Sequence, residues 1–382
     1  MSYKAEKIKV LHIIPSLNSG GAEKLIEESL PIMKNNYNID VEVLLLTDKG
    51  NIFDKKLKDN NIKTNVSPHQ KIRSIKNIFY ILKHIKRNHY DIVHSHLFPC
   101  NYWASIASKL ILKNKPKFIT TEHNTHNKRR DKFYFRPIER FIYSGYDTII
   151  SISEGTQQNL INWIKPKGKD KFVVIENGIN LVDFINAEPY KKSDLDSKFN
   201  ESTRLLCMVG SFSKQKDQAT IIRAMKDLPD DIFLLLVGGG SLKQEYEKLA
   251  KKLEVDDRVK FLGIRKDVPR IFKTSDIVIV SSHWEGFGLV AAEGMAAGKP
   301  VIASDVPGLS EVVRGAGVLF EKGSQKELID NINSFLNNKA QYYKITEKCL
   351  ERSNRYNIKR MVEEYLKVYN LSPIRKITKK EG

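Results

Sequence analysis

The 382-residue sequence predicts an α/β protein of two doubly wound domains facing each other across a cleft. Three observations carry that expectation. Short apolar runs alternate with stretches of helical period along most of the chain. The runs are apolar at successive positions, as in parallel strands covered by helices on both faces. The length also suits two cores of about 150–200 residues better than one.

The runs in the first half are KVLHII, VEVLLLT, IKTNV, DIVHSH, KFITTE, TIISIS and FVVIEN. Between the first two, Leu25, Ile26, Ser29, Leu30 and Met33 recur at helical spacing. The second half repeats the layout with RLLCMVG, IFLLLVG, VKFLG, DIVIVSS, PVIAS and GVLF. Residues 183–203 are polar, hold proline and lack an apolar period, so they read as a linker. Its Asp194-Leu195-Asp196 reads as solvated loop, not as a metal motif. The expected organisation is therefore a first domain over 1–182, a second over 204–355, and a C-terminal helix in 356–382 that crosses back to the first domain.

Composition excludes several classes. Hydrophobic residues make up 41% and charged residues 29%, the balance of an ordinary globular chain. There is no unbroken apolar run of the ~18 residues a membrane span needs. The opening MSYKAEKIKVLHIIPSL reads as a first strand, not a signal peptide. Cys100, Cys207 and Cys349 are too scattered for a disulfide framework or a zinc site, which points to a reducing, cytoplasmic setting. The net charge is +19, and it is uneven: residues 1–182 hold 30 Lys and Arg against 17 Asp and Glu, the remainder 34 against 28. A basic half suits anionic lipid, a polyanionic substrate or nucleic acid, or reflects only a lysine-rich composition.

In open α/β sheets, ligands bind beyond the carboxyl ends of the strands. Gly20 and Gly21 follow the first strand and open a helix. They let an anion approach the free N–H groups of the first turn, or simply form the turn. His123 and His126 follow KFIT. No third ligand at suitable spacing accompanies them, so a hydrogen bond to a polar ligand is the better functional reading than a metal. Ser211, Lys214 and Lys216 follow RLLCMVG, where a lysine suits phosphate. Gly238-Gly239-Gly240 does not have the spacing of a nicotinamide-binding loop.

The most informative stretch is SHWEGFGLVAAEGMAAG, from Ser282 to Gly298. A loop carrying Glu285 leads into a helix of small residues that starts near Leu289 and ends at Gly298. The N–H groups around Phe287, Gly288 and Leu289, with the helix dipole, make a seat for a diphosphate. Glu293, one turn beyond Leu289, accepts hydroxyl hydrogen bonds from a ribose, as Glu285 does from a sugar. The pair reads as a clamp on a sugar nucleotide, not as an acid–base couple.

SHWEGFGLVAAEGMAAGKPVIASDVPGLSEVV resembles the E-x7-E segment of retaining GT-B glycosyltransferases of glycosyltransferase family 4. PSLNSGGAEK, TTEHNTH, VIENGIN, VGSFSKQKDQATIIRA, VGGGSLK and VKFLGIRKDV resemble that family's other segments, in order. The resemblance implies two Rossmann-like domains facing across a cleft, with a UDP- or GDP-sugar donor bound by the second and a glycan or lipid-linked acceptor by the first. It implies retention of configuration, no metal and no further cofactor. By the same resemblance Glu285 touches the donor sugar, Glu293 the ribose, Phe287–Leu289 sugar and phosphates, Lys216 the diphosphate, and Ile264 the base. Gly20 and Gly21 correspond to the family's glycine loop, and His123 contacts the donor sugar near the reacting centre. Ser211 stands where many members carry arginine, with Lys214 or Arg265 as possible compensation.

KIRSIKNIFYILKHIKR places Ile75, Ile78, Phe79, Leu82 and Ile85 on one helical face with cations around it, and NKRRDKFYFRPIERFIY interleaves cations with aromatics. Both suit peripheral contact with the anionic inner face of a cell membrane. Bacterial surface polysaccharide or glycan assembly is the setting the resemblance implies. Two other readings are open to the sequence: a sugar-nucleotide epimerase or hydrolase of the same architecture, and a basic nucleic-acid-binding protein. The second accounts for the charge but not for glycines and glutamates at strand ends, so no nucleic-acid partner is expected.

Overall fold

A computed structural model of the chain describes residues 7–371 apart from 19, 38 and 126. The chain divides into two compact units, Met1–Gly178 with Ile358–Gly382, and Ile179–Asn357. Each is built on one all-parallel sheet.

The first sheet has seven strands: β1 (Ile8–Ile14), β2 (Ile39–Leu45), β3 (Lys63–Val66), β4 (Ile92–His96), β5 (Lys117–Glu122), β6 (Thr148–Ser151) and β7 (Phe172–Val174). Their order is β3-β2-β1-β4-β5-β6-β7. The second has six: β8 (Arg204–Val209), β9 (Ile232–Val237), β10 (Val259–Gly263), β11 (Ile277–Val280), β12 (Val301–Ser304) and β13 (Val318–Phe320), in the order β10-β9-β8-β11-β12-β13. Each of the apolar runs forms a strand. The central ones are buried on both faces, as Leu205–Met208 and Ile277–Val280 show. In each sheet the chain first winds outward to one side, then crosses to the other. The reversal falls between β1 and β4 in the first sheet, and between β8 and β11 in the second. In open parallel sheets such a reversal is where ligands bind, beyond the carboxyl ends of the strands.

The helix Gly21–Asn36 buries Leu25, Ile26, Ser29, Leu30 and Met33, the set expected from periodicity. The helix Lys76–Asn88 differs from expectation. Its core stripe is Ile78, Ile81 and Ile85, while Ile75 and Phe79 are 66% and 63% exposed. The apolar arc of this sequence is wider than the stripe one neighbouring layer can cover. Arg129 and Arg130 also turn inward. Arg130 pairs with Glu122 (3.0 Å) and Glu139 (3.4 Å), and Arg129 with Glu139 (3.3 Å). Glu139 lies wholly inside the fold, so these cations neutralise a buried carboxylate, Arg130 from within and Arg129 from a half-buried position.

Residues 183–203 belong to the second unit. They contribute a short helix, Lys192–Leu195, and the end of another, Leu181–Ile185. Phe184 and Phe199 are buried, the latter 4.9 Å from Phe233, and Asp196 pairs with Lys260 at 2.8 Å. The helix Ile358–Val368 belongs to the first unit and packs on the helix Gly21–Asn36. Among the described residues, no helix is long and apolar enough to cross a membrane.

Candidate active site

The sequence-predicted site residues fall into two groups. Ser211, Lys216, Ile264, Glu285, Phe287, Gly288, Leu289 and Glu293 lie in the second unit; Gly20, Gly21 and His123 lie in the first. His126 lies outside the described residues.

In the second unit the loops after β8 and β11 meet at the sheet's reversal point. The His283 N–H donates to the Gln215 carbonyl (2.7 Å), Gln215 Nε2 to the Trp284 carbonyl (3.0 Å), and Ser281 Oγ to the Asp217 carbonyl (2.9 Å). Lys216 leaves this stitched loop with its stem lying across Gly210, where a β-carbon would sit 3.3 Å from Lys216 Cγ. Lys216 Nζ donates to Glu285 Oε1. The same oxygen accepts from Ser282 Oγ at 2.7 Å, and the Ser282 carbonyl accepts from Ser304 Oγ at 2.5 Å. Lysine and glutamate thus form a partly buried ion pair anchored from below by two buried serines.

Immediately after, Gly288 caps the helix Leu289–Ala296 with φ of +96°, a left-handed conformation costly for any other residue. A β-carbon at Gly288 would also stand 2.6 Å from Leu309 Cδ1. The Phe287 ring is buried edge-on against Tyr356 at 5.2 Å. Gly294 presses on Val278, so the small residues of this helix seat it directly on β11. Glu293 is buried on that helix. Ile264, 70% exposed, lies beside Gly239 at the end of β9. Ser211 is exposed, its Oγ 3.3 Å from Ser213 Oγ. Arg265, the other candidate for the missing arginine charge, is paired with Asp267 through one edge of its guanidinium, Nε to Oδ1 at 2.8 Å and Nη2 to Oδ2. That bond raises the arginine's pKa and holds the aspartate's well below its ordinary value. Lys214 is exposed.

In the first unit, Gly20 is the extended N-cap of the helix that Gly21 opens. The Glu23 carboxylate folds back over Gly20, where a β-carbon would meet its Oε2 at 2.2 Å. Desolvation raises the Glu23 pKa, partly offset by a hydrogen bond from its own backbone N–H. His123, partly buried past the end of β5, is one of four clustered histidines. His12 on β1 and His94 on β4 are cross-strand partners, and His96 follows two residues along β4. His96 Nδ1 lies 3.2 Å from His123 Nε2, and His96 Nε2 lies 3.0 Å from His12 Nδ1. His94 bonds elsewhere, to the Tyr369 hydroxyl and Thr121 Oγ1, both at 2.7 Å. Burial keeps all four rings neutral. It lowers the His12 pKa to about 3 and that of His123 to about 4, and holds those of His94 and His96 well below normal.

Comparison with known proteins identifies the family and the fold. The family model described as glycosyltransferase family 4 matches residues 19–183, and that described as glycosyl transferases group 1 matches 191–352. The chain belongs to glycosyltransferase family 4. It is 26% identical over 355 residues to the Escherichia coli UDP-Gal:alpha-D-GlcNAc-diphosphoundecaprenol alpha-1,3-galactosyltransferase, covering 87% of each chain. It is likewise 26% identical over 295 residues to the Bacillus anthracis N-acetyl-alpha-D-glucosaminyl L-malate synthase, covering 74% of this chain and 75% of that one. Among solved structures, Anabaena HepE in complex with UDP and glucose superposes with a TM-score of 0.82 at 22% identity, over 95% of this chain and 99% of that one. The fold is thus GT-B, with two parallel-sheet α/β domains.

The sequence reading of this glycosyltransferase missed the support around its glutamates and the histidines behind His123. Ser282 lies three residues before Glu285, yet a serine in a loop carries no signal of its own. His12, His94 and His96 sat inside strands read only as apolar. Their departure from that pattern was the available sign.

Two expectations follow. Gly288→Ala destabilises the enzyme by about 1–3 kcal/mol through the left-handed φ and the Leu309 contact, as urea unfolding would show. The buried histidines titrate near 6.5 once unfolded and much lower when folded. The unfolded chain therefore binds more protons between about pH 6.5 and 4, and stability falls as pH drops through that window. Urea midpoints decline from pH 6.5 to 5, and decline less in His12→Phe.

Proposed function

We propose that the enzyme moves a sugar, with retention of configuration, from a UDP- or GDP-sugar to a glycan or lipid-linked acceptor in surface polysaccharide or glycan biosynthesis. The observation that carries this is the Lys216–Glu285 pair beside the Gly288-capped helix, at the reversal point of the second sheet. Cation, free N–H groups and carboxylates converge there, as a sugar diphosphate requires. The relatives' settings favour the same reading: one is named for UDP-galactose and a diphosphoundecaprenol-linked acceptor, and HepE was solved with UDP and glucose.

In this reading Lys216 turns to the diphosphate when donor enters, and Glu285 exchanges the lysine for sugar hydroxyls. The backbone of Phe287–Leu289 holds sugar and phosphates, Glu293 the ribose and Ile264 the base. Gly20 and Gly21 form the glycine loop of this reading, and His123 contacts the donor sugar. The acceptor oxygen bonds the anomeric carbon as the bond to the diphosphate breaks. The electron pair goes to the departing phosphate, which takes the acceptor proton on the same face. Lys216 and the helix N-terminus stabilise the growing charge, so the reading requires no metal and no other cofactor.

The helices Lys76–Asn88, Cys100–Lys109 and Phe135–Tyr143 pack side by side. They expose Ile75, Phe79, Phe133, Ile138 and Phe141 amid Lys76, Lys83, Lys86, Arg87, Lys132 and Arg140. This face is the proposed contact with the anionic inner leaflet, where a lipid-linked acceptor would reside.

Lys216→Ala is expected to lower kcat/KM by about 100-fold or more, measured by release of nucleoside diphosphate; near-normal turnover would reject its role. Chelation by EDTA leaves the rate unchanged. Phe79→Ser with Phe133→Ser abolishes sedimentation with anionic liposomes, and wild-type binding weakens with salt; equal retention on neutral vesicles would remove the membrane reading.

A further inference from the structure

We propose that His96, and behind it His12, are positioning residues that fix which ring nitrogen of His123 carries its proton. The proposal rests on the reading of His123 as a donor-sugar contact, but its geometry stands apart from that reading.

A neutral imidazole has one N–H and one lone pair. His96 uses both ring nitrogens on histidines: Nδ1 on His123 Nε2 at 3.2 Å, and Nε2 on His12 Nδ1 at 3.0 Å. It must donate to one neighbour and accept from the other. If His96 carries its proton on Nδ1, His123 Nε2 accepts and His12 Nδ1 donates. If on Nε2, His123 Nε2 donates and His12 Nδ1 accepts. Only these two arrangements satisfy both contacts, and in each all three rings carry the proton at the same ring position. The far end of the chain is His12 Nε2, buried and without a partner. No group there compensates for a change, so the three rings switch together or not at all. His123, the partly buried end, cannot change tautomer without a matching change at His12 in the core.

A metal ion is the competing use of such rings, since His12, His94 and His96 place ligand atoms within 4.8 Å of one another. The hydrogen bonds favour the relay. Both nitrogens of His94 are taken by hydroxyls of Tyr369 and Thr121, and an ion on His96 would need its single lone pair, which already accepts from a neighbouring histidine. The depressed basicity of all four rings accords with a neutral chain at pH 7.

The test is two-bond 1H–15N correlation on the full-length chain labelled at histidine, which reads each ring's tautomer directly. His12, His96 and His123 are expected as neutral rings of one common tautomer, unchanged from pH 6 to 8. His12→Phe, or His96→Phe if the first fails to fold, is expected to give averaged His123 shifts. The same substitution lowers kcat about tenfold or more, as a misplaced imidazole proton does elsewhere, with donor KM little changed. His94→Gln, which removes a ring packed on His12 and His96 but no hydrogen bond of either link, leaves the His123 tautomer as it was. Differing tautomers among the three wild-type rings would overturn the relay, as would a His123 signal indifferent to His12 and His96, or stoichiometric zinc in the purified protein. A shared tautomer with unaltered transfer would uphold the relay and instead overturn the placement of His123 at the donor sugar.

Discussion

Strands that all run the same way place every carboxyl end on one edge of the sheet, and the rest of this structure depends on that constraint. Each sheet reverses its winding once, between β1 and β4 and between β8 and β11. In open parallel sheets ligands bind at the carboxyl ends beside such a reversal. The chemistry gathers there. Lys216 and Glu285 come from the loops after β8 and β11, and the histidine cluster joins β1, β4 and the end of β5. Neither group is contiguous in sequence. Both are made so by parallel pairing.

At the two edges the fold handles polarity in different ways. In the second unit, charge is retained and matched: a lysine neutralises Glu285, and buried serines hold the carboxylate and its loop. A desolvated carboxylate is costly unless compensated, and Lys216 compensates Glu285 here. In the first unit, burial keeps four imidazoles neutral, and hydrogen bonds join three of them, His12, His96 and His123. The former suits a diphosphate. The latter suits a neutral donor or acceptor of fixed orientation.

The basic character of the first unit divides in the same manner. Arg129 and Arg130 serve the interior, where Glu122 and Glu139 need partners. Lys117 reaches the Val368 carbonyl at 2.6 Å and so ties the C-terminal segment to β5. Cations such as Lys83, Lys86 and Lys132 stay outside, next to aromatic and aliphatic side chains that the core does not take up. Net charge alone did not separate these uses, because an arginine looks the same in sequence whether it meets lipid or a buried glutamate.

The sequence by itself determined the thirteen strands, the helix from Leu289 to its glycine stop, and the class of the enzyme. The class came from the resemblance of the Ser282–Gly298 segment and its companions to a known family; the strands and the helix rest on local pattern, since unbroken apolar runs need two covering layers and a glycine after small residues ends a helix. It also marked Lys216 and Glu285 separately. Only tertiary structure decided that they pair, that Ser282 and Ser304 stand beneath them, and that Arg265 is held by Asp267. The same holds for the three core histidines behind His123 and for Ile75 and Phe79 lying outside the core. The reason is distance along the chain. His12 and His96 are 84 residues apart, and Lys216 and Glu285 are 69 apart. Periodicity reports which face of its own element a residue occupies, but not which residue of another element that face will meet.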